Sequence, residues 1–143
     1  MNTFGRAVGA AAVITILVAG AACARQPGGD VLSDSELERS LRQTSEQLEP
    51  RLPMMVDDAT RWESTVPGPG RKWTYVYTLV TASSGDVTGQ QIQDALGEKI
   101  RTSVCTTREM QVFVKNKVQV VYHYNGKDGV DIGEVVVDTR QCS

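Results

Sequence analysis

The sequence predicts an α+β domain in the order helix-strand-strand-helix-strand-strand, with an antiparallel sheet and two helices packed on one face. Three observations carry this. Two stretches combine helix-capping signals with apolar residues recurring every three or four positions, two pairs of runs are dense in β-branched and aromatic residues, and turn residues join the members of each pair.

The first helix is expected over residues 34–49. Ser33 with Glu36 three residues on makes a capping box, and Leu32 can staple against Leu37. Leu37, Leu41, Thr44 and Leu48 then form a narrow apolar stripe, and Pro50 and Pro53 end the helix because proline lacks the amide hydrogen. A strand over 72–81 follows, with Trp73, Tyr75, Tyr77 and Leu79 alternating onto one face. A weaker strand over 60–66 precedes it. The two read as a hairpin through Pro67-Gly68-Pro69-Gly70, which cannot continue a ladder.

The second helix is expected over 89–104, opened by Thr88 and Gln91 and carrying the stripe Ile92, Ala95, Leu96, Ile100 and Val104. Gly97 costs it up to about 1 kcal/mol relative to alanine. Residues 108–116 fit either period, and a short helix is preferred. Strands over 118–124 and 132–139 close the chain, linked by Asn125-Gly126 and Asp128-Gly129, each a hairpin signal.

Ahead of the domain lies an export segment, residues 1–22. Arg6 precedes an uncharged apolar run from Ala7 to Ala19, too short for the about 20 residues that span a bilayer, and small residues follow it. The run Gly20-Ala21-Ala22 before Cys23 resembles the lipobox of bacterial lipoproteins, which implies lipidation of Cys23. Simple cleavage after Ala22 or Ala24 is the alternative, since Gly20 stands where that pattern usually has a branched residue. Residues 23–32 then read as a flexible tether and 33–143 as one domain. In an oxidising compartment the two remaining cysteines, Cys105 and Cys142, are expected to form a disulfide.

Removing Arg6 with the export segment takes the formal charge from −2 to −3. That argues against nucleic acid as a partner, because such binding needs dense positive charge. Catalysis and metal binding find little support either. The sole histidine, His123, lies in a predicted strand, no serine sits at a strand-to-helix elbow, and one histidine is poor provision for zinc. Asn125, Asp128, Asp131 and Glu134 crowd one loop but lack calcium-loop spacing, since Tyr124 and Gly126 occupy ligand positions. Asp57 and Asp58 point to opposite sides of an extended chain and read as caps or turn residues. Gly68 to Lys72 is a turn rather than a phosphate loop, for Pro69 removes an amide and no helix follows. No catalytic residue, metal ligand or cofactor is therefore assigned.

The candidate binding residues are aromatic: Trp62, Trp73, Tyr75, Tyr77, Tyr122 and Tyr124. In one sheet they would form a strip, most of it core, with Trp62 and Trp73 at its rim. As a set, Pro53 to Asp57, Tyr75 to Val80, Val104-Cys105-Thr106, Phe113 to Asn116, Val120 to Tyr124 and Asp128-Gly129 resemble a family of small exported bacterial proteins of unknown function. The resemblance implies a bacterial envelope or secreted setting with a late disulfide, and no activity. The expectation is a non-catalytic exported or envelope-anchored protein whose partner is another envelope protein, touching membrane only through a lipid on Cys23. A small-ligand or peptidoglycan-binding module is the alternative.

Overall fold

The computed structural model describes residues 31–143, so the export segment, Cys23 and most of the expected tether lie outside the described residues. The first helix, α1 (Asp34–Leu48), opens on the expected capping box, with the Glu36 amide donating to Ser33 Oγ at 3.4 Å and the Ser33 amide to Glu36 Oε2 at 3.0 Å. Proline at 50 reduces the exit to a single 3-10 turn. Leu37 and Leu41 are buried as expected, but the next buried residue is Ser45 and not Thr44, which is exposed. The stripe continues at steps of four because Ser45 has a partner beneath it: its Oγ lies 2.7 Å from Thr65 Oγ1, satisfying both hydroxyls away from water.

The strands are β1 (Met54–Met55), β2 (Thr60–Pro67) and β3 (Lys72–Leu79), then β4 (Gln119–Gly126) and β5 (Asp131–Asp138). Between β3 and β4 the chain forms α2 (Gly89–Thr106), a 3-10 turn and the short helix α3 (Gln111–Lys115), so residues 108–116 are helical. Both expected hairpins are present as antiparallel pairs, and β1 adds an edge strand that the sequence reading lacked. The sheet order is β1-β2-β3-β4-β5, and its central pair, β3 with β4, is parallel. The reason is connectivity: α2 and α3 carry the chain back to the end where β3 began, so β4 must run the same way. The domain is thus α+β with a five-stranded, mostly antiparallel sheet and its helices on one face.

Helix α1 lies over β2 and α2 over β5. Leu37 and Leu41 from α1, Val104 from α2 and Phe113 from α3 close over Trp73, Val120 and Val137 in one cluster, to which Leu32 also packs. A second cluster joins Ile92 of α2 to Tyr124 and Val135. Removing side chains such as Leu37 and Val104 from water stabilises the fold by about 1.5–3 kcal/mol each. Cys105 and Cys142 are bonded, their Cα atoms 5.3 Å apart, which ties the end of α2 to the final turn.

Candidate functional site

Alternation along β3 and β4 directs Trp73, Tyr75, Tyr77, Tyr122 and Tyr124 to the helix-covered face, and the register aligns Tyr75 with Tyr122 and Tyr77 with Tyr124. On the other side Trp62 of β2 is paired with Tyr77. A register shift between Trp62 and Ser64 bends β2, and the Trp62 indole donates to the Ser64 carbonyl at 3.0 Å. The Trp62 ring therefore stands edge-on to Tyr75, with centroids 5.5 Å apart. Tyr75 and Tyr122 follow at 5.1 Å, and the Tyr77 and Tyr122 rings are parallel within 2° and stacked, with centroids 6.1 Å apart. Edge-to-face and offset contacts of this kind each contribute about 0.5–1.5 kcal/mol beyond burial.

The six aromatic candidates separate into two groups. Trp62, Tyr75, Tyr77 and Tyr122 are part-exposed, because α1 and α2 take their main sheet contacts on β2 and β5 and leave the middle strands between them. Trp73, expected at the rim, is only 1% exposed, and Tyr124 only 5%. Neither can meet a partner. Trp73 sits where α1, α2 and α3 converge, 5.7 Å from Phe113, and its indole nitrogen has no hydrogen-bond partner among the described residues. Tyr124 lies beneath the start of α2, beside Ile92.

Met54, absent from the candidates, extends the strip to the sheet edge. It pairs with Trp62 and is 43% exposed. The signal was the apolar run Met54-Met55-Val56 after a proline, too short to read as a strand without knowing that β2 lay beside it. Electrically the strip is neutral. Burial raises the hydroxyl pKa of Tyr75, and burial followed by neighbouring phenols raises those of Tyr77 and Tyr122. Tyr124 is pushed up to about 12, by burial and then by the Asp57 carboxylate.

The remaining polar groups have structural partners. His123 faces the opposite side of the sheet, with Nε2 3.2 Å from Asn125 Oδ1 and 3.7 Å from Asp131 Oδ1. The Asp128 carboxylate accepts from the Ser84 amide, the Ser84 hydroxyl and the Val130 amide, which depresses its pKa and uses the oxygens a calcium ion would need. Asp57 caps its own turn, accepting from the Ala59 amide at 2.8 Å. Residues 68–71 form the β2–β3 turn, with the Gly70 amide donating to Glu38 at 3.1 Å. Among the described residues no three His, Cys, Asp or Glu side chains converge as a metal site would require.

No family model and no curated protein matches the chain. Solved structures do. A protein of Pseudomonas aeruginosa described as secreted superposes with a TM-score of 0.63 at 14% identity, over 80% of this chain and 100% of its own. The pilotin EpsS of the Vibrio vulnificus type 2 secretion system gives a TM-score of 0.61 at 14% identity, over 77% of this chain and 94% of its own. The type II secretion system pilotin AspS of Vibrio cholerae gives 0.57 at 12% identity, over 76% and 94%. At such identities the likeness is one of fold.

Proposed function

We propose that the protein is a non-catalytic accessory protein of the bacterial envelope, exported and either held there by a lipid on Cys23 or released into the periplasm. Its role is to bind an apolar segment of another envelope protein with Trp62, Tyr75, Tyr77 and Tyr122. The carrying observation is the part-exposed aromatic strip, its inner edges packed on the core and its outer edges reaching solvent, continuous with exposed Met54 at the sheet edge. Aromatic side chains supply large contact areas at small entropic cost, which is why they dominate binding energies at interfaces. The likeness in fold to two type 2 secretion pilotins and a protein described as secreted supports the envelope setting.

The test is recovery of a partner from envelope extract on the tagged chain, with Trp62→Ala and Tyr77→Ala alongside. Each substitution is expected to weaken binding by about 2 kcal/mol, roughly thirtyfold, while keeping the helical content of the parent. A partner retained equally by all three chains would remove the strip from the account. The parallel, part-exposed Tyr77 and Tyr122 rings favour a second reading, a peptidoglycan fragment or other small ligand stacked on an outer ring face. Quenching of Trp62 fluorescence by glycan fragments would select that reading, and Trp73, being buried, serves as the internal control.

A further inference from the structure

The aromatic strip carries oxygens that the fold does not use. Met54, Trp62, Tyr77 and Tyr124 are paired in turn across β1, β2, β3 and β4, so they form one row on the helix-covered face. The Tyr77 ring stacks on Tyr124 at 5.5 Å and on Tyr122 at 6.1 Å, which keeps the three phenols side by side. Among the described residues Tyr75 alone of these tyrosines rests its hydroxyl on another side chain, Met110 Sδ at 3.9 Å. Tyr124 is only 5% exposed. Trp73 Nε1 is nevertheless the sole fully buried side-chain polar atom without a partner among the described residues, so the unbonded Tyr124 hydroxyl opens to the surface.

An unpaired carboxylate stands beside this row. The Val56 and Asp57 amides both donate to the Thr60 carbonyl, at 3.0 and 3.5 Å, which folds the β1–β2 turn over the end of β2. Thr60 pairs with Leu79, the next residue after Tyr77 on that face, so the turn lies one row beyond the tyrosines. Asp57 is within electrostatic reach of the Tyr124 hydroxyl and helps it keep its proton. Its Oδ1 accepts from the Ala59 amide at 2.8 Å, and it forms no ion pair among the described residues. In the turns around it Glu49 and Arg51 offset each other, and Asp57, Asp58 and Asp86 have only Lys127 against them, Asp128 being held by Ser84.

We infer that this end of the strip is a subsite for a cationic side chain, arginine or lysine, carried by the partner's apolar segment. The inference rests on the strip being a binding surface. A guanidinium or ammonium group only donates hydrogen bonds, an ionised carboxylate only accepts them, and a neutral phenol oxygen can accept. Asp57 with the Tyr77 and Tyr124 oxygens therefore matches such a group, while the methylene stem of arginine or lysine lies along apolar ring surface. An anion would find hydroxyl donors here, and the neighbouring carboxylates repel it.

The experiment titrates the intact chain, as isolated from cells, with a seven-residue apolar peptide carrying one central arginine and with the same peptide carrying citrulline, its uncharged isostere. Backbone amide resonances report affinity and place. The arginine peptide is expected to bind about tenfold more tightly and to shift the amides of residues 57–60. Asp57→Asn, which keeps an acceptor for the Ala59 amide, should abolish that preference, and Tyr124→Phe should reduce it about threefold. Asp131→Asn removes the same charge from the opposite face, beside His123, and should leave the preference intact. Equal binding of both peptides to the strip overturns the subsite and leaves the strip standing. Binding of neither sinks the strip as a dock for apolar segments, and the subsite with it. A preference that survives Asp57→Asn places the cation elsewhere and overturns the assignment. Acetyl-arginine amide bound as tightly as the peptide would give the subsite to a small free cation and remove the partner's side chain from it.

Discussion

Single residues decide how the helix face is finished. Ser45 and Thr65 are polar groups in an apolar interface, tolerated because each hydroxyl satisfies the other at 2.7 Å. Ser45→Ala should cost about 1–3 kcal/mol in denaturant unfolding by stranding the Thr65 hydroxyl, whereas Ser45→Ala with Thr65→Val should cost clearly less than the two single changes combined. The tyrosines set a limit on pH. Their folded pKa values are raised above the ordinary 10, so the stability they contribute is complete below pH 10 and is lost as pH rises toward about 12, where Tyr124 titrates in the fold. Tyrosinate absorbance and loss of tertiary circular dichroism should therefore emerge together above pH 10. Ionisation of all four tyrosines well before unfolding would contradict the burial described here.

At the scale of elements, the capping boxes fix where the two long helices begin, and close backbone packing fixes where α2 lies. Ser33→Ala is expected to lower stability by about 1 kcal/mol, measured as a shift in the urea midpoint. The first residue of α2, Gly89, lies against Gly133 of β5, where a Cβ on Gly133 would stand 2.9 Å from the Gly89 Cα. Gly133 also has φ of +150°, a conformation side chains disfavour. Gly133→Ala should cost about 1–3 kcal/mol and lift the start of α2 from the sheet, seen as faster amide exchange at Ile92. Gly97 behaves differently from a plain helix breaker, because a Cβ there would meet the Gln93 side chain at 2.5 Å, a contact that flexible chain can relieve.

For the whole molecule the Cys105–Cys142 bond, which closes a sequence separation of 37 residues, fastens the helical layer to the end of β5. In the chain-entropy description a loop of that length contributes about 4 kcal/mol, against the about 5–15 kcal/mol that typically holds a domain together. Cys142→Ser should lower the unfolding free energy of the oxidised protein by about that amount, and reductant should bring the parent down to the same midpoint. Equal stability of the parent with and without reductant would show that the bond carries none of the fold.

Local sequence determined the elements: caps at Ser33 and Thr88, prolines after α1, turn residues within each hairpin, and alternation that put Trp73, Tyr75 and Tyr77 on one face. These are properties of neighbouring residues, and neighbours are what a sequence displays. Which aromatic rings remain accessible was decided by tertiary structure, because exposure depends on where α1 and α2 rest and not on the strand's own period. The same holds for the parallel junction of β3 and β4, the pairing of Met54 with Trp62, the substitution of Ser45 for Thr44 in the buried stripe, and the approach of Asp57 to Tyr124. Each depends on contacts between residues far apart in the chain, whose geometry no local pattern encodes.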